Sequence, residues 1–136
     1  MTRYYLDSSA AVKLAMHEAE SDALATFLQE PGASGAGTEL VSSELLVTEI
    51  HRALRPQGAQ GALRATRVLG LVDIVSVSST VLRVAAEIPQ DSLRTLDAIH
   101  LATALAVHDT LAGLITYDHR LAAAASEAGI PVVSPS

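Results

Sequence analysis

Hydrophobic positions along the chain change period often and over short distances, and the changes divide it into alternating strands and helices. Arg3 to Leu6 is a brief apolar run that stops at Asp7, the pattern of a short buried strand. Ala10 to Met16 has helical spacing, with Ser8 and Ser9 available as N-caps, and Ser21 to Leu28 predicts a second helix with Leu24, Phe27 and Leu28 on one side. Glu30 to Thr38 holds Pro31 and three glycines and predicts a loop. Leu40 and Val41 mark a brief strand, after which Ser42 and Ser43 can cap a helix that runs to about Leu54. Pro56 to Gly61 predicts a break before a short helix over Ala62 to Leu69.

The second half repeats the alternation. Val72 to Val77 is rich in β-branched residues and predicts a strand, and Ser78 or Ser79 caps a helix ending near Ile88, before Pro89. Thr95 is placed to cap a long helix from Leu96 to Val107. Gly113 to Thr116 predicts a strand with Asp118 just beyond it, His119 to Ala128 a helix ended by Gly129, and Val132–Val133 a last strand after Pro131. Alternating elements without hairpin turn signals predict an α/β fold: one domain over residues 1–136, three layers, a parallel sheet flanked by helices.

Composition narrows the chemistry. The chain has 136 residues, long enough for one self-sufficient core, and no cysteine, which excludes disulfides and thiolate metal sites. Oxygen and imidazole remain as strong ligands, a set suited to Mg²⁺ or Mn²⁺. No apolar run approaches the ~20 residues of a membrane span, and Asp7 and Lys13 interrupt any signal-peptide core, so a soluble, cytoplasmic protein without membrane contact is expected. The formal net charge is −6, yet Ile50 to Val72 carries Arg52, Arg55, Arg64 and Arg67 and no acid. Each pair is spaced i,i+3; the four form either a solvated basic surface or a rim that contacts phosphates.

The acids fall at informative places. Asp7 and Asp118 each follow a strand, and in open α/β sheets ligands bind outside the carboxyl ends of strands where the strand order reverses. Asp97 opens the long apolar helix; favourable interaction with the helix dipole, about 0.3–1 kcal/mol, accounts for it on its own, but such a helix is buried and its acid needs a partner, for which His100 is a candidate. Glu44 is explained by its position in a first turn. Glu49 is not: it sits in mid-helix beside the stripe of Leu46, Ile50 and Leu54, where it either pairs with Arg52 or solvent or serves a site.

These residues occur in segments that resemble a known family. Tyr4-Tyr5-Leu6-Asp7-Ser8-Ser9-Ala10 resembles the opening strand and first acid of PIN domains, especially the VapC toxins of toxin–antitoxin pairs. Ser42 to Ile50 resembles their second motif with Glu49 in the acid position, Thr95-Leu96-Asp97-Ala98-Ile99-His100-Leu101-Ala102-Thr103-Ala104 the third, and Thr116-Tyr117-Asp118-His119-Arg120-Leu121 the fourth. The ordered set spans Tyr4 to Leu121; His119 departs from the residue the family often carries there.

The resemblance implies a Mg²⁺- or Mn²⁺-dependent ribonuclease, an endonuclease cutting RNA. It also implies a cognate antitoxin that blocks the groove and a homodimer, possibly within a toxin–antitoxin hetero-oligomer. Asp7, Glu49, Asp97 and Asp118 would be the catalytic acids and metal ligands, with Ser9 and Thr116 as hydroxyl supports. Arg52, Arg55, Arg64, Arg67 and Arg120 are the candidates for RNA contact, and Leu45, Leu54 and Leu63 for a dimer face. Crowding of four acids is expected to raise the pKa of at least one. A binding module of the same fold without catalysis is a rival reading. A receiver-like phosphoacceptor is a weaker one, because Lys13 is the only lysine and serines follow Asp7; a dehalogenase-like phosphatase would need an acid where Ser9 stands.

Overall fold

The computed structural model describes residues 2–30 and 37–136. The loop expected over Glu30 to Thr38 therefore falls largely outside the described residues. In chain order the elements are β1 (Thr2–Leu6), α1 (Ser8–Ala15), α2 (Ser21–Gln29), β2 (Thr38–Ser43), α3 (Leu45–Leu54), a 3₁₀ turn (Arg55–Gln57), α4 (Gly58–Leu69), β3 (Val72–Val75), α5 (Ser79–Ala86), α6 (Thr95–Ala106), a second 3₁₀ turn (His108–Thr110), β4 (Gly113–Ile115), α7 (His119–Glu127) and β5 (Val132–Val133).

All strand pairings are parallel, in the order β3-β2-β1-β4-β5. The chain moves outward from β1 through β2 to β3 and then crosses back to place β4 on the other side of β1. The reversal point is thus the gap between β1 and β4, where open α/β sheets place their ligands. Short apolar strands suit this sheet because both faces are covered, so no polar alternation is needed. Pleating sends neighbouring residues to opposite faces. Tyr5, Val41 and Leu114 join a core with α6 and α7, whereas Leu6, Leu40 and Ile115 join a core with α1, α2, α3 and α4. Val81 of α5 and Ile99 of α6 form a smaller cluster beside these. The single-domain, three-layer α/β expectation is met.

Local boundaries differ from expectation where side chains compete for the same backbone groups. Asp7, not Ser8 or Ser9, caps α1, its Oδ1 accepting from Ala10 N at 3.1 Å. Ser42 and Ser43 lie within β2, with Glu44 at the cap position of α3; Ser43 Oγ nevertheless accepts from Leu45 N. Thr95 is already helical, and Arg94 precedes it as the capping residue. The break expected from Pro56 to Gly61 shrinks to the 3₁₀ turn, because Gly58 at φ 62° turns the chain straight into α4. Leu54 is fully buried in the core, so it is removed from the residues available to a dimer face; Leu63 is exposed. Among the described residues no helix is long and apolar enough to cross a membrane.

Candidate active site

The strand-to-helix junctions deliver the acids. Asp7 ends β1 and caps α1; Asp118 follows β4 and caps α7, its Oδ1 accepting from Arg120 N at 2.9 Å and Leu121 N at 3.0 Å. Asp97 lies in the first turn of α6. Three helix N-termini, the positive ends of their dipoles, therefore meet where three carboxylates gather. Glu49 reaches the same place from the middle of α3. All four acids line one cleft of about 710 Å³ together with Ser9, Lys13, Arg94 and Tyr117. Glu44 points elsewhere, and its carboxylate accepts from Val77 N.

Asp7 is buried and closely held. Ser9 Oγ donates to Oδ1 at 2.8 Å and Thr116 Oγ1 to Oδ2 at 2.7 Å. Each hydroxyl in turn accepts from a backbone amide, Ser9 from Tyr117 N and Thr116 from Asp118 N, so its one proton is committed to Asp7. Both hydroxyls thus hold the first acid, Ser9 from the wall of the cleft. Burial raises the Asp7 pKa; the bonds from Thr116, Ser9 and Ala10 and the charge of His100 oppose this only in part.

Asp97 is also raised, first by burial and then by the neighbouring Asp118, with Arg94 and His100 opposing. Like-charge crowding, the expected cause, ranks second to desolvation. Arg94 is the residue the sequence reading left out: its Nε lies 3.4 Å from Asp97 Oδ2 and a terminal nitrogen 3.6 Å from Asp118 Oδ2. The i,i+3 spacing of Arg94 and Asp97 is the local signal of this pairing. His100 does not serve Asp97 through a hydrogen bond. It is fully buried, and its Nε2 bonds Glu49 Oε1 while its Nδ1 meets the Tyr5 hydroxyl at 2.7 Å.

The donor set is wholly oxygen, the chemistry that hard divalent cations select. Among the described residues, no three acid or imidazole side chains stand close enough to ligate one ion directly. Instead the Arg94 guanidinium supplies the positive charge between Asp97 and Asp118. The arginines named from sequence lie outside the cleft. Arg52 and Arg55 flank a separate hollow with His51, Gly58 and Ala62, and Arg64 and Arg67 are exposed on α4. Arg120 is exposed on α7, and His119 lines a neighbouring pocket with Tyr117.

The raised Asp7 and Asp97 set a stability prediction. A carboxyl whose folded pKa lies above its unfolded value of about 3.9 costs folding stability as pH rises from the unfolded value through the folded one. Without divalent ions the wild type is therefore expected to lose melting temperature as pH rises from about 4 to 7, and Asp7→Asn, which cannot titrate, to lose less over the same range. Its absolute melting temperature should be lower, because the amide nitrogen cannot accept from Ser9 or Thr116 as a carboxylate oxygen does. Calorimetric scans at both pH values measure this; an equal or steeper pH dependence in the variant would contradict it.

Residues 4–127 match the profile of the PIN domain. Over all 136 residues, and the whole of both chains, the sequence is 43% identical to ribonuclease VapC46 of Mycobacterium tuberculosis. Among solved structures, VapC20 of the same organism, a toxin that cleaves the sarcin–ricin loop, superposes with a TM-score of 0.74 at 18% identity, covering 97% of this chain and 99% of its own. VapBC2 from Rickettsia felis, solved bound to a DNA fragment from its promoter, does so with a TM-score of 0.75 at 13% identity, covering 99% and 100%. These last two attest the fold, and the profile and the end-to-end identity attest the kinship: the chain belongs to the PIN-domain family.

Proposed function

We propose that the chain is a divalent-metal-dependent endoribonuclease, the toxin of a type II toxin–antitoxin pair. The observation that carries this is the convergence of Asp7, Glu49, Asp97 and Asp118 on one cleft at the sheet's reversal point. The names of its relatives as ribonucleases support the reaction class. The structural neighbours that are toxin–antitoxin complexes support an antitoxin as partner.

Asp97, Asp118 and Glu49 would hold Mg²⁺ or Mn²⁺, in part through water, as the spread of their oxygens and the coordination habits of Mg²⁺ favour. A bound divalent ion supplies a Lewis acid for the phosphoryl oxygens and makes water acidic enough to react at neutral pH. The residues themselves do the positioning. Asp7, fixed by Ser9 and Thr116, is the rigid corner of the cleft, and Glu49, half-shielded beside Ala53, orients water or a second ion. The three helix N-termini favour an incoming phosphate. Arg94 is free to leave the two aspartates when a stronger cation arrives and to bind phosphate instead. The arginines of α3, α4 and the turn between them supply a basic approach for the RNA backbone. They would set affinity rather than sequence choice.

Incubating purified protein with RNA and Mn²⁺, beside an Asp7→Asn control, tests the reading. Cleavage by wild type alone is expected; equal cleavage by both would expose a contaminant and remove the support for catalysis. A second result concerns Arg94. Because its guanidinium competes with the metal for Asp97 and Asp118, Arg94→Ala is expected to tighten Mn²⁺ binding about threefold, a modest gain because the side chain is largely exposed. Titration calorimetry reads it, and weaker binding would show that Arg94 assists the metal rather than displacing it.

A further inference from the structure

His100 stands in a place the cleft chemistry does not require of a core residue. It is fully buried on α6, and burying an imidazole is costly unless both ring nitrogens find partners. They do, on opposite sides. Nδ1 meets the Tyr5 hydroxyl at 2.7 Å and Nε2 meets Glu49 Oε1 at 2.5 Å. The Tyr5 oxygen in turn accepts from Ser43 N at 3.1 Å. A buried line thus runs from the β2 backbone through the β1 tyrosine and the α6 histidine to an acid on α3. A histidine serving only the core would end on a backbone carbonyl; this one ends on a carboxylate of the cleft.

The direction of the hydrogen bonds follows from the inventory of protons. Tyr5 accepts from Ser43 N, and the 2.7 Å approach of Nδ1 is the partner left for its single O–H proton. With that proton given to Nδ1, Nε2 carries the N–H that faces Glu49. One carboxylate oxygen of Glu49 is committed inward. The other, Oε2, makes no hydrogen bond among the described residues and is left for the cleft.

We propose that His100, fixed in its Nε2–H form by Tyr5, is a positioning residue that holds Glu49 with one oxygen turned to the cation and its water. The inference rests on the cation-site reading above. It extends that reading to two residues, Tyr5 and His100, that touch neither substrate nor ion.

The test is Mn²⁺ binding to the full chain, followed by calorimetry and by the paramagnetic resonance of free Mn²⁺. His100→Leu is expected to weaken binding tenfold or more, with His100→Gln, which keeps an N–H donor, within about threefold of wild type. In a Glu49→Ala background His100→Leu should add less than about twofold, because its effect passes through Glu49. On RNA, kcat should fall while KM holds. Nitrogen-15 spectra of wild type should show the Nε2–H tautomer, and Tyr5→Phe should lose its exclusive population; these two readings stand even if His100→Leu does not fold. Wild-type Mn²⁺ affinity in a folded His100→Leu, an undiminished loss in the Glu49→Ala background, or an Nδ1–H tautomer would each overturn the role. Failure of the wild-type chain itself to bind Mn²⁺ would instead sink the cation site, and this role with it.

Discussion

Asp97→Asn is expected to cut Mn²⁺-supported RNA cleavage by roughly 10²–10³-fold while the chain stays folded. Asparagine keeps the shape, and the first turn of α6 does not need the charge, because Ala98 N is already bonded to Arg94 O. What disappears is the anionic oxygen that faces Asp118 across Arg94. The same substitution separates stability from function. In the wild type, burial and Asp118 hold the Asp97 carboxyl above its ordinary pKa, so keeping it ionised at neutral pH works against folding. A divalent ion bound there would reverse that cost, and Mn²⁺ should raise the wild-type melting temperature near pH 7. In Asp97→Asn most of this rise should vanish, and the metal-free protein should melt no lower than wild type. Paired measurements of kcat/KM and of melting with and without Mn²⁺ decide the matter. An undiminished Mn²⁺ shift in the variant would place the ion elsewhere.

The second large effect is on stability alone. Gly61 is buried in α4, where an added Cβ would lie 2.1 Å from the Leu54 carbonyl oxygen and 2.8 Å from Gln57 Cβ. Alanine in a helix is otherwise favoured over glycine by about 1 kcal/mol. A collision with backbone cannot be relieved by a rotamer change, so it outweighs that gain. Gly61→Ala is expected to destabilise by about 2–3 kcal/mol and to lower the melting temperature by roughly 10 °C. Gly58→Ala would act by a different route: its Cβ would meet nothing within 4 Å, but φ 62° with ψ −140° is a conformation essentially reserved for glycine, at a cost of about 1–3 kcal/mol in backbone strain. Thermal melts of both variants beside wild type measure the two losses. An unchanged melting temperature in Gly61→Ala would mean that the α3–α4 junction opens at little cost.

Gly61 also illustrates what a linear pattern conceals. Glycine and proline near it suggested an interruption, whereas the glycine is there so that α4 can approach the end of α3. Strands and layers were legible because apolar runs too short for helices, separated by helical spacing, have few packing solutions. The acids at strand ends were legible for the same reason: once the sheet is parallel, the carboxyl ends of β1 and β4 share an edge. Arg94 and the Tyr5–His100–Glu49 line were not, because their meaning lies in partners far apart in sequence. Glu49 and His100 are separated by 51 positions, and nothing local to either says that they touch. The caps are ambiguous between adjacent residues, since Asp7, Ser8 and Ser9 are all competent to cap and only the geometry of the junction gives the bond to Asp7.

The placing of β4 beside β1 has a consequence for biosynthesis. Asp7 precedes the Thr116 hydroxyl that holds it by 109 positions, and Ser9 precedes the amide of Tyr117 by 108. Domains form as units once their strands are available, at translation speeds of about 5–20 residues per second. A ribosome-bound chain that stops short of β4 carries Asp7, Glu49 and Asp97 but lacks both Asp118 and the Thr116 hydroxyl that fixes Asp7. The cleft can take its final shape only after β4 has emerged to pair with β1.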